Sequence, residues 1–513
     1  MVFQFSDLQN GSDIRGVAMP GIPNEEVNLT PTVVARIANA FAHWLADKTN
    51  TSLEQISIAV GRDSRITGPG LMQATGAGIQ HAGSHVFDTG MASTPAMFMS
   101  TITEGYNYTG AIMLTASHLP FNRNGMKFFT QTGGLDKSDI RDIIARAEES
   151  ENIPIPEDLV FDKIDFLSDY ANQLVETIRC EVKAEDYNLP LKGLKILVDA
   201  GNGAGGFFSS KVLEPLGAET TGSQFLEPDG HFPNHIPNPE DKAAMQSISK
   251  AVIDNQADLG IIFDTDVDRA ALVDHSGNPI NRNALIALLS AIVLEEHPGS
   301  TVVTDSITSE GLTKFIEKEL KGKHLRFKRG YKNVINKGIE LNQNGEDCFL
   351  AIETSGHGAL KENYFLDDGA FLVAKTLIKL GKEWKKGNKN ISSLITTLEM
   401  PQEDEEFRLK VNDQDFANYG EKIIEGLKHW AGKQSGWSVP PVNHEGIRVS
   451  CHNKGQDGWF LLRLSLHDPV LPLNIESNQK DGVRRIIQHL YQFLQSYEKL
   501  DMNPIVNYIE NKA

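Results

Sequence analysis

Short apolar runs that end abruptly in polar, glycine-bearing turns and then give way to helical patterns recur along this chain. That rhythm is the signature of α/β units built on largely parallel sheets. Ser57-Ile58-Ala59-Val60 ends in Gly61-Arg62-Asp63-Ser64-Arg65, Gly110-Ala111-Ile112-Met113-Leu114 in Thr115-Ala116-Ser117-His118, and Leu194-Lys195-Ile196-Leu197-Val198 in Asp199-Ala200-Gly201-Asn202-Gly203. In open α/β sheets the ligand crevice lies beyond the carboxyl ends of the strands, so chemistry is to be sought in these turns. With 513 residues and roughly 150 per domain, three or four domains are expected. Joints at Ile153-Pro154-Ile155-Pro156, around His297-Pro298-Gly299 and at the acidic Pro401-Gln402-Glu403-Asp404-Glu405-Glu406 predict domains over 1–160, 161–298, 299–401 and 402–513. The first three share one α/β rhythm. The last alternates strand-like Trp459 to Leu464 with helical Val483 to Tyr497 and reads as α+β.

The net charge of −19 argues against a nucleic-acid or membrane-surface partner, because phosphate backbones and anionic lipids repel an acidic surface. Any anionic ligand must therefore meet a local cluster of Arg and Lys. Cys180, Cys348 and Cys451 lie too far apart for a CxxC redox pair or a zinc knuckle, which fits a reduced cytoplasm. The opening Met1-Val2-Phe3-Gln4-Phe5-Ser6-Asp7 has neither the cationic start nor the apolar stretch of a signal peptide, so a cytoplasmic location is expected. The longest apolar run, Ala284 to Leu294, is well short of the roughly 20 residues that cross a bilayer and predicts a buried helix.

In Ile261-Ile262-Phe263-Asp264-Thr265-Asp266-Val267-Asp268-Arg269 an apolar strand runs into aspartates at alternate positions. Carboxylates converging on one turn repel one another unless a cation sits between them, and hard divalent ions such as Mg²⁺ and Ca²⁺ prefer oxygen ligands. An EF-hand is excluded, because its glycine and its final glutamate would fall on Arg269 and His275. The plain alternative is a solvated acidic turn. Arg269, directly after the carboxylates, adds a cation that can hold a phosphate oxygen beside the metal.

Thr115-Ala116-Ser117-His118-Leu119-Pro120-Phe121-Asn122-Arg123-Asn124-Gly125-Met126-Lys127 places a hydroxyl, an imidazole and an amine just past a strand. A serine hydroxyl is a poor nucleophile without a base or metal, and no G-x-S-x-G elbow surrounds Ser117, which excludes the common acyl-transfer hydrolase. Gly201-Asn202-Gly203-Ala204-Gly205-Gly206 matches a dinucleotide fingerprint, the basis of a nicotinamide-oxidoreductase alternative. Asp199, two residues earlier, would oppose a pyrophosphate there, so a tight strand-to-helix crossing is preferred. His231 and His235 have metal-like spacing without partner cysteines and read as structural. Glu353-Thr354-Ser355-Gly356-His357 offers a carboxylate and a hydroxyl suited to vicinal sugar hydroxyls. Arg463-Leu464-Ser465-Leu466-His467-Asp468-Pro469 can donate several hydrogen bonds to one phosphate.

Taken in order, these segments resemble the α-D-phosphohexomutase superfamily of phosphoglucomutases, phosphomannomutases and phosphoglucosamine mutases. The resemblance runs from Asp13-Ile14-Arg15-Gly16 to about Pro469 and includes Asn124-Gly125-Met126-Lys127 and Pro228-Asp229-Gly230-His231-Phe232-Pro233. It implies three related α/β mixed-sheet domains and a C-terminal α+β, TATA-binding-protein-like domain around a central cleft. It implies a phosphorylated Ser117 and one Mg²⁺ per chain held by Asp264, Asp266, Asp268 and that phosphoserine. Lys127 and His118 would serve proton transfer, and Arg15 and Arg269 would stabilise phosphoserine charge. Lys332, Glu353, Ser355 and His357 would bind the sugar, and Arg463, Ser465 and His467 the phosphate that is not reacting. The implied reaction interconverts hexose 1-phosphate and hexose 6-phosphate through a hexose 1,6-bisphosphate that also serves as activator. The expected ligands are sugar phosphates, with no nucleic acid or membrane partner, and the chain is expected to be a monomer or homodimer.

Several positions depart from the family pattern. Thr265 and Val267 replace the two glycines of DGDGDR, Leu119 replaces the Asn of TASHNP, and the RxSxTEP loop keeps Arg, Ser and Pro while exchanging Thr and Glu. Gly330-Tyr331-Lys332 is similar to the Gly-Phe-Lys of phosphoglucomutases, whereas Ser355-Gly356-His357 is closer to the bispecific and glucosamine enzymes. Glucose 1-phosphate is the first expectation and mannose 1-phosphate the second. The alternatives are a phosphoglucosamine mutase or a non-catalytic sugar-phosphate-binding homologue.

Overall fold

The computed structural model describes residues 3–453, 455–465 and 468–511. They form two compact units, one of the described residues up to 285 with 355–394 and one of 286–354 with the described residues from 395 on.

In the first unit a mixed sheet runs in the order Gln9–Asn10, Asp13–Val17, Arg123–Thr130, Gly110–Leu114, Ser57–Arg62, His85–Met91, Asp162–Lys163. Its alternation is legible in the residues. Ile58, Val60, Ile112, Leu114, Met126 and Phe128 point to one face, where they pack with helices Pro31–Thr49 and Lys137–Glu149. Ala59, Ala111, Met113 and Phe129 point to the other and pack with residues of helix Thr94–Ile102. Pro31–Thr49 starts where Thr30 caps Val33 N and Pro31 occupies the first turn, and it ends at Asn50 with φ of +52°.

Gly110–Leu114 is parallel to Ser57–Arg62 but antiparallel to Arg123–Thr130, which is itself antiparallel to Asp13–Val17. The sheet is thus the mixed one that the resemblance implies, and not the largely parallel one that the strand-and-turn rhythm alone suggests. The Ser117 segment turns the chain back between two antiparallel neighbours instead of leading into a helix.

A second sheet of this unit has the order Pro279–Ile280, Ala270–Asp274, Leu259–Phe263, Ile196–Asp199. The last two are parallel, while Leu259–Phe263 and Ala270–Asp274 are antiparallel, so the aspartate segment is also the turn of an antiparallel pair. Helix Lys242–Asn255, capped by Asp241, packs on this sheet through Ala244, Ile248 and Val252. The antiparallel pair Gly358–Leu360 and Leu366–Asp367 precedes helix Gly369–Trp384, whose cap is Asp368.

In the second unit Thr301–Thr304 lies parallel between Lys323–Arg326 and Cys348–Ile352. The C-terminal sheet is antiparallel throughout, in the order Glu403–Lys410, Val470–Ser477, Gln456–Leu462, Ile447–Asn453, Trp437–Ser438. Helices Phe416–Ala431 and Gly482–Leu494 bury Ile423, Leu427, Ile486 and Leu490 with its inward residues. The buried helix expected at Ala284 to Leu294 is Arg282–Glu296. Among the described residues no helix is long and apolar enough to cross a membrane.

Candidate active site

The two antiparallel turns of the first unit meet. Ser117, 3% exposed, donates from Oγ to Asp264 Oδ2 at 2.9 Å across 147 positions of chain. Arg269 Nη2 donates to the same Oγ at 2.9 Å, and Arg269 Nε to Asp264 Oδ2 at 3.1 Å. Ser117 itself is held at φ of +50°, with its N–H bonded to Thr115 Oγ1 at 2.9 Å. Lys127, on strand Arg123–Thr130, reaches Asp266 Oδ2 at 3.0 Å and also bonds Asp268. Arg15 donates to the carbonyl of Ala116 at 3.0 Å and pairs with Asp13 at 3.0 Å.

Asp264, Asp266 and Asp268 are at most 1% exposed, and one oxygen of each lies within 4.8 Å of the other two. Asp266 Oδ1 and Asp268 Oδ1 are buried without a hydrogen-bond partner. Burial and then the charges of Asp268 and Asp266 push the Asp264 carboxyl well above the usual carboxylate range, despite Arg269. Burial also opposes ionisation of Asp268, but Lys127, His357 and Arg269 outweigh it and hold that carboxyl low. Three convergent oxygen donors with unused lone pairs and surplus negative charge fit a hard divalent cation such as Mg²⁺. The acidic triad can therefore hold a metal.

His118 Nδ1 lies 2.6 Å from Arg269 Nη2, which can only donate, so the imidazole accepts there and carries its proton on Nε2. Burial first, then Arg269 and Arg15, press its pKa down to about 2, and it stays neutral. His357 behaves oppositely. Its Nδ1 bonds Asp367 Oδ2 at 2.6 Å and stands 3.8 Å from Asp268 Oδ1. Burial disfavours its charge, yet Asp367 and Asp268 prevail and raise its pKa to about 9. In the cluster Asp268, His357, Asp367 the two acidic neighbours thus favour the charged form of the imidazole.

The remaining sequence-derived residues can be placed individually. Glu353, buried in the second unit, accepts from Gly330 N at 2.6 Å and so ties the sugar-type turn to the start of helix Tyr331–Gln343, which carries Lys332. Arg463 stands 3.6 Å from Glu445, whose other oxygen accepts from Ser306 Oγ at 2.6 Å and Arg329 N at 3.1 Å. Ser465 sits in the turn between strands Gln456–Leu462 and Val470–Ser477, its Oγ accepting from Asp468 N at 3.3 Å. Ser355 is buried in the first unit. His467 lies outside the described residues.

The structural reading of His235 agrees with its place beside Asp199, with Nε2 at 3.0 Å from both carboxylate oxygens. The glycine-rich turn is a tight crossing. A Cβ on Gly203 would stand 2.7 Å from the Thr265 carbonyl, and Ala204 N donates to that carbonyl at 2.8 Å. Sequence reasoning missed Asp367, which orients His357, and Thr94, whose hydroxyl bonds Asp266 Oδ2 at 2.5 Å and whose N–H bonds the Asp266 carbonyl at 2.8 Å. Neither carries a local signature. Thr94 follows the helix cap Ser93, and Asp367 precedes the helix cap Asp368.

Comparison with known proteins converges on one group. Models described as "Phosphoglucomutase/phosphomannomutase, alpha/beta/alpha" domains I, II and III match residues 7–153, 168–277 and 281–399. A phosphomannomutase/phosphoglucomutase of Pseudomonas syringae is 31% identical over 451 residues, covering 87% of this chain and 89% of that protein. A phosphoglucomutase of Neisseria meningitidis is 28% identical over 96% of this chain and 98% of its own length. The crystal structure of a phosphoglucomutase/phosphomannomutase family protein from Burkholderia thailandensis superimposes with a TM-score of 0.77 at 27% identity, covering 97% of this chain and 98% of that one.

Proposed function

This chain belongs to the phosphoglucomutase/phosphomannomutase family, and from that premise we propose that Ser117 carries the phosphoryl group it exchanges with a hexose phosphate. The chain is a phosphohexomutase, an isomerase that works by phosphoryl transfer. Glucose phosphates are its proposed first substrate and mannose phosphates its second.

The observation that carries the reading is the contact of Ser117 Oγ with both Asp264 and Arg269 in a buried setting. Mg²⁺ held by Asp264, Asp266, Asp268 and a phosphoserine oxygen would supply positive charge against the moving phosphoryl group. Arg269 and Arg15 place fixed positive charge next to Ser117 and lower the cost of charge spreading over the phosphoryl oxygens. As a sugar hydroxyl oxygen bonds to phosphorus, the bond to Ser117 Oγ breaks and that oxygen must be reprotonated. Lys127, buried beside the aspartate turn, is the proposed relay: it gives a proton to Ser117 Oγ and takes up the one that the attacking sugar hydroxyl releases. His118 presents an Nε2–H donor and steadies a phosphoryl or sugar oxygen. Lys332, Glu353, Ser355 and His357 are assigned to the sugar, and Arg463, Ser465 and His467 to the distal phosphate. The bisphosphate formed turns over and returns its other phosphate to Ser117, so hexose 1,6-bisphosphate acts as activator.

The test is a panel of glucose, mannose and glucosamine 1-phosphates with Mg²⁺ and the bisphosphate, alongside intact-mass measurement of Ser117 phosphorylation. Conversion that disappears in Ser117→Ala together with the phosphate adduct is expected. Unchanged turnover in that variant would remove the assignment.

A further inference from the structure

The segment Gly61-Arg62-Asp63-Ser64-Arg65, the end of strand Ser57–Arg62 and the start of the loop after it, and the segment Pro228-Asp229-Gly230-His231-Phe232-Pro233 have no part in the phosphoryl transfer. Yet they meet directly behind Ser117. The Arg65 side chain is fully buried, and its guanidinium spends its donors on the backbone of the serine loop. Nη1 donates to the carbonyls of Pro120 at 2.7 Å and Arg123 at 2.9 Å, and Nη2 to that of Leu119 at 2.7 Å and to that of Ser117. Asp63, equally buried, lies 3.2 Å from Arg65 Nε and accepts from Arg65 N at 2.9 Å, which fixes the fork from behind. One planar cation thus gathers carbonyls from a stretch of loop whose first member sits at φ of +50°, a conformation that a serine rarely adopts unaided.

The Pro228–Pro233 segment closes over this arrangement. A Cβ on Gly230 would come within 2.6 Å of Ser64 O and within 2.5 Å of Ile66 N, so only glycine lets the two backbones touch. The Phe232 ring, itself at φ of +50°, has the Arg65 guanidinium 5.3 Å from its centroid, within cation–π range. The segment continues toward the metal-type turn. Asp229 N donates to the Asn202 carbonyl at 2.9 Å, Asn234 Nδ2 to Asn202 Oδ1 at 2.8 Å, and Ala204 N to the Thr265 carbonyl at 2.8 Å.

We propose that Arg65 is a positioning residue which, clasped by Phe232 and Gly230, holds the Ser117 loop in its left-handed form and registers it against the aspartate turn through Asn202 and Ala204. The inference rests on the reading of Ser117 as the phosphorylated residue. To the direct contacts of Ser117 with Asp264 and Arg269 it adds a linkage through the backbone behind the loop, made of discrete packed and hydrogen-bonded groups.

The experiment compares the full-length protein with Arg65→Lys, which keeps the charge but loses the fork, with Phe232→Leu, which leaves the Asp63–Arg65 pair in place should Arg65→Lys fail to fold, and with Gly230→Ala, whose Cβ presses on the backbone on either side of Arg65. Each folded variant is expected to lose about 30- to 100-fold in kcat, and as much in the rate of Ser117 phosphorylation by hexose 1,6-bisphosphate, with KM within about threefold. Amide hydrogen exchange across residues 116–123 is expected to accelerate without substrate present, and a merely destabilised fold would instead accelerate exchange throughout. Variants with wild-type kcat, or with exchange at 116–123 no faster than elsewhere, would overturn the proposal. Should the wild-type protein convert no sugar phosphate, the functional reading fails, and the exchange measurement alone still decides whether Arg65 holds the loop.

Discussion

Val267 combines φ of +67° with complete burial. A β-branched residue in the left-handed region is strained by about 1–3 kcal/mol, a cost that persists only where the surroundings over-determine the backbone. Here they do, since the Val267 carbonyl accepts from Gly369 N at 3.1 Å and the flanking aspartates are fixed by Lys127 and Thr94. The valine substituted for glycine therefore keeps a glycine-like conformation and gains buried apolar surface in exchange. This sets up an inverted order of stabilities. Val267→Ala loses methyl groups while keeping the strain, and should cost about 1–2 kcal/mol. Val267→Gly sheds the strain as well and should be the more stable of the two by about 1 kcal/mol. Denaturant unfolding of both variants checks the order, and alanine above glycine would refute it. Thr265, in contrast, leaves its buried Oγ1 without a hydrogen-bond partner, and nothing in the structure explains that substitution.

Among the elements, the starts of two strands were the most legible in the sequence, although Ser57–Arg62 runs two residues into the turn expected at Gly61. Ser57–Arg62 and Gly110–Leu114 begin where their apolar runs begin, because alternate residues feed separate cores on the two faces and both faces must be apolar. Direction was less accessible. A period-2 pattern is the same read either way, so the antiparallel entry of Arg123–Thr130 and of Ala270–Asp274 leaves no mark on it. The chemistry-bearing residues on turns were readable as types, whereas Thr94 and Asp367 act through contacts that only tertiary structure creates.

The turn after Ile196–Asp199 supplies a pH prediction of its own. Burial disfavours the charged form of His235, but its bond to Asp199 and that carboxylate's charge outweigh burial and raise its pKa. A histidine raised in the native state contributes stability that is full below its ordinary pKa of about 6.5 and is lost as pH climbs through the native value. Thermal scans should therefore show the wild type losing more stability than His235→Gln as pH rises above the ordinary histidine range of about 6.5. Parallel curves would show that the pair carries no such linkage.

For the whole molecule, the buried aspartate triad predicts a stability that responds to divalent metal. Carboxylates that repel one another in the native state, and are free of that repulsion when unfolded, gain a binding term of RT ln(1 + [L]/Kd) when metal is added. That term is about 2.7 kcal/mol at a hundredfold excess over Kd. Mg²⁺ is expected to raise the melting temperature of the wild type and EDTA to reverse the rise, with Asp266→Asn showing a much smaller response. An equal metal effect in that variant would locate the ion elsewhere. The contact between Ser117 and Asp264 spans 147 positions, so no nascent chain that stops before the aspartate turn can assemble the pocket. If Ser117 takes its phosphate in the exchange proposed above, that phosphate would also report that both neighbouring sheets have been synthesised, folded and joined.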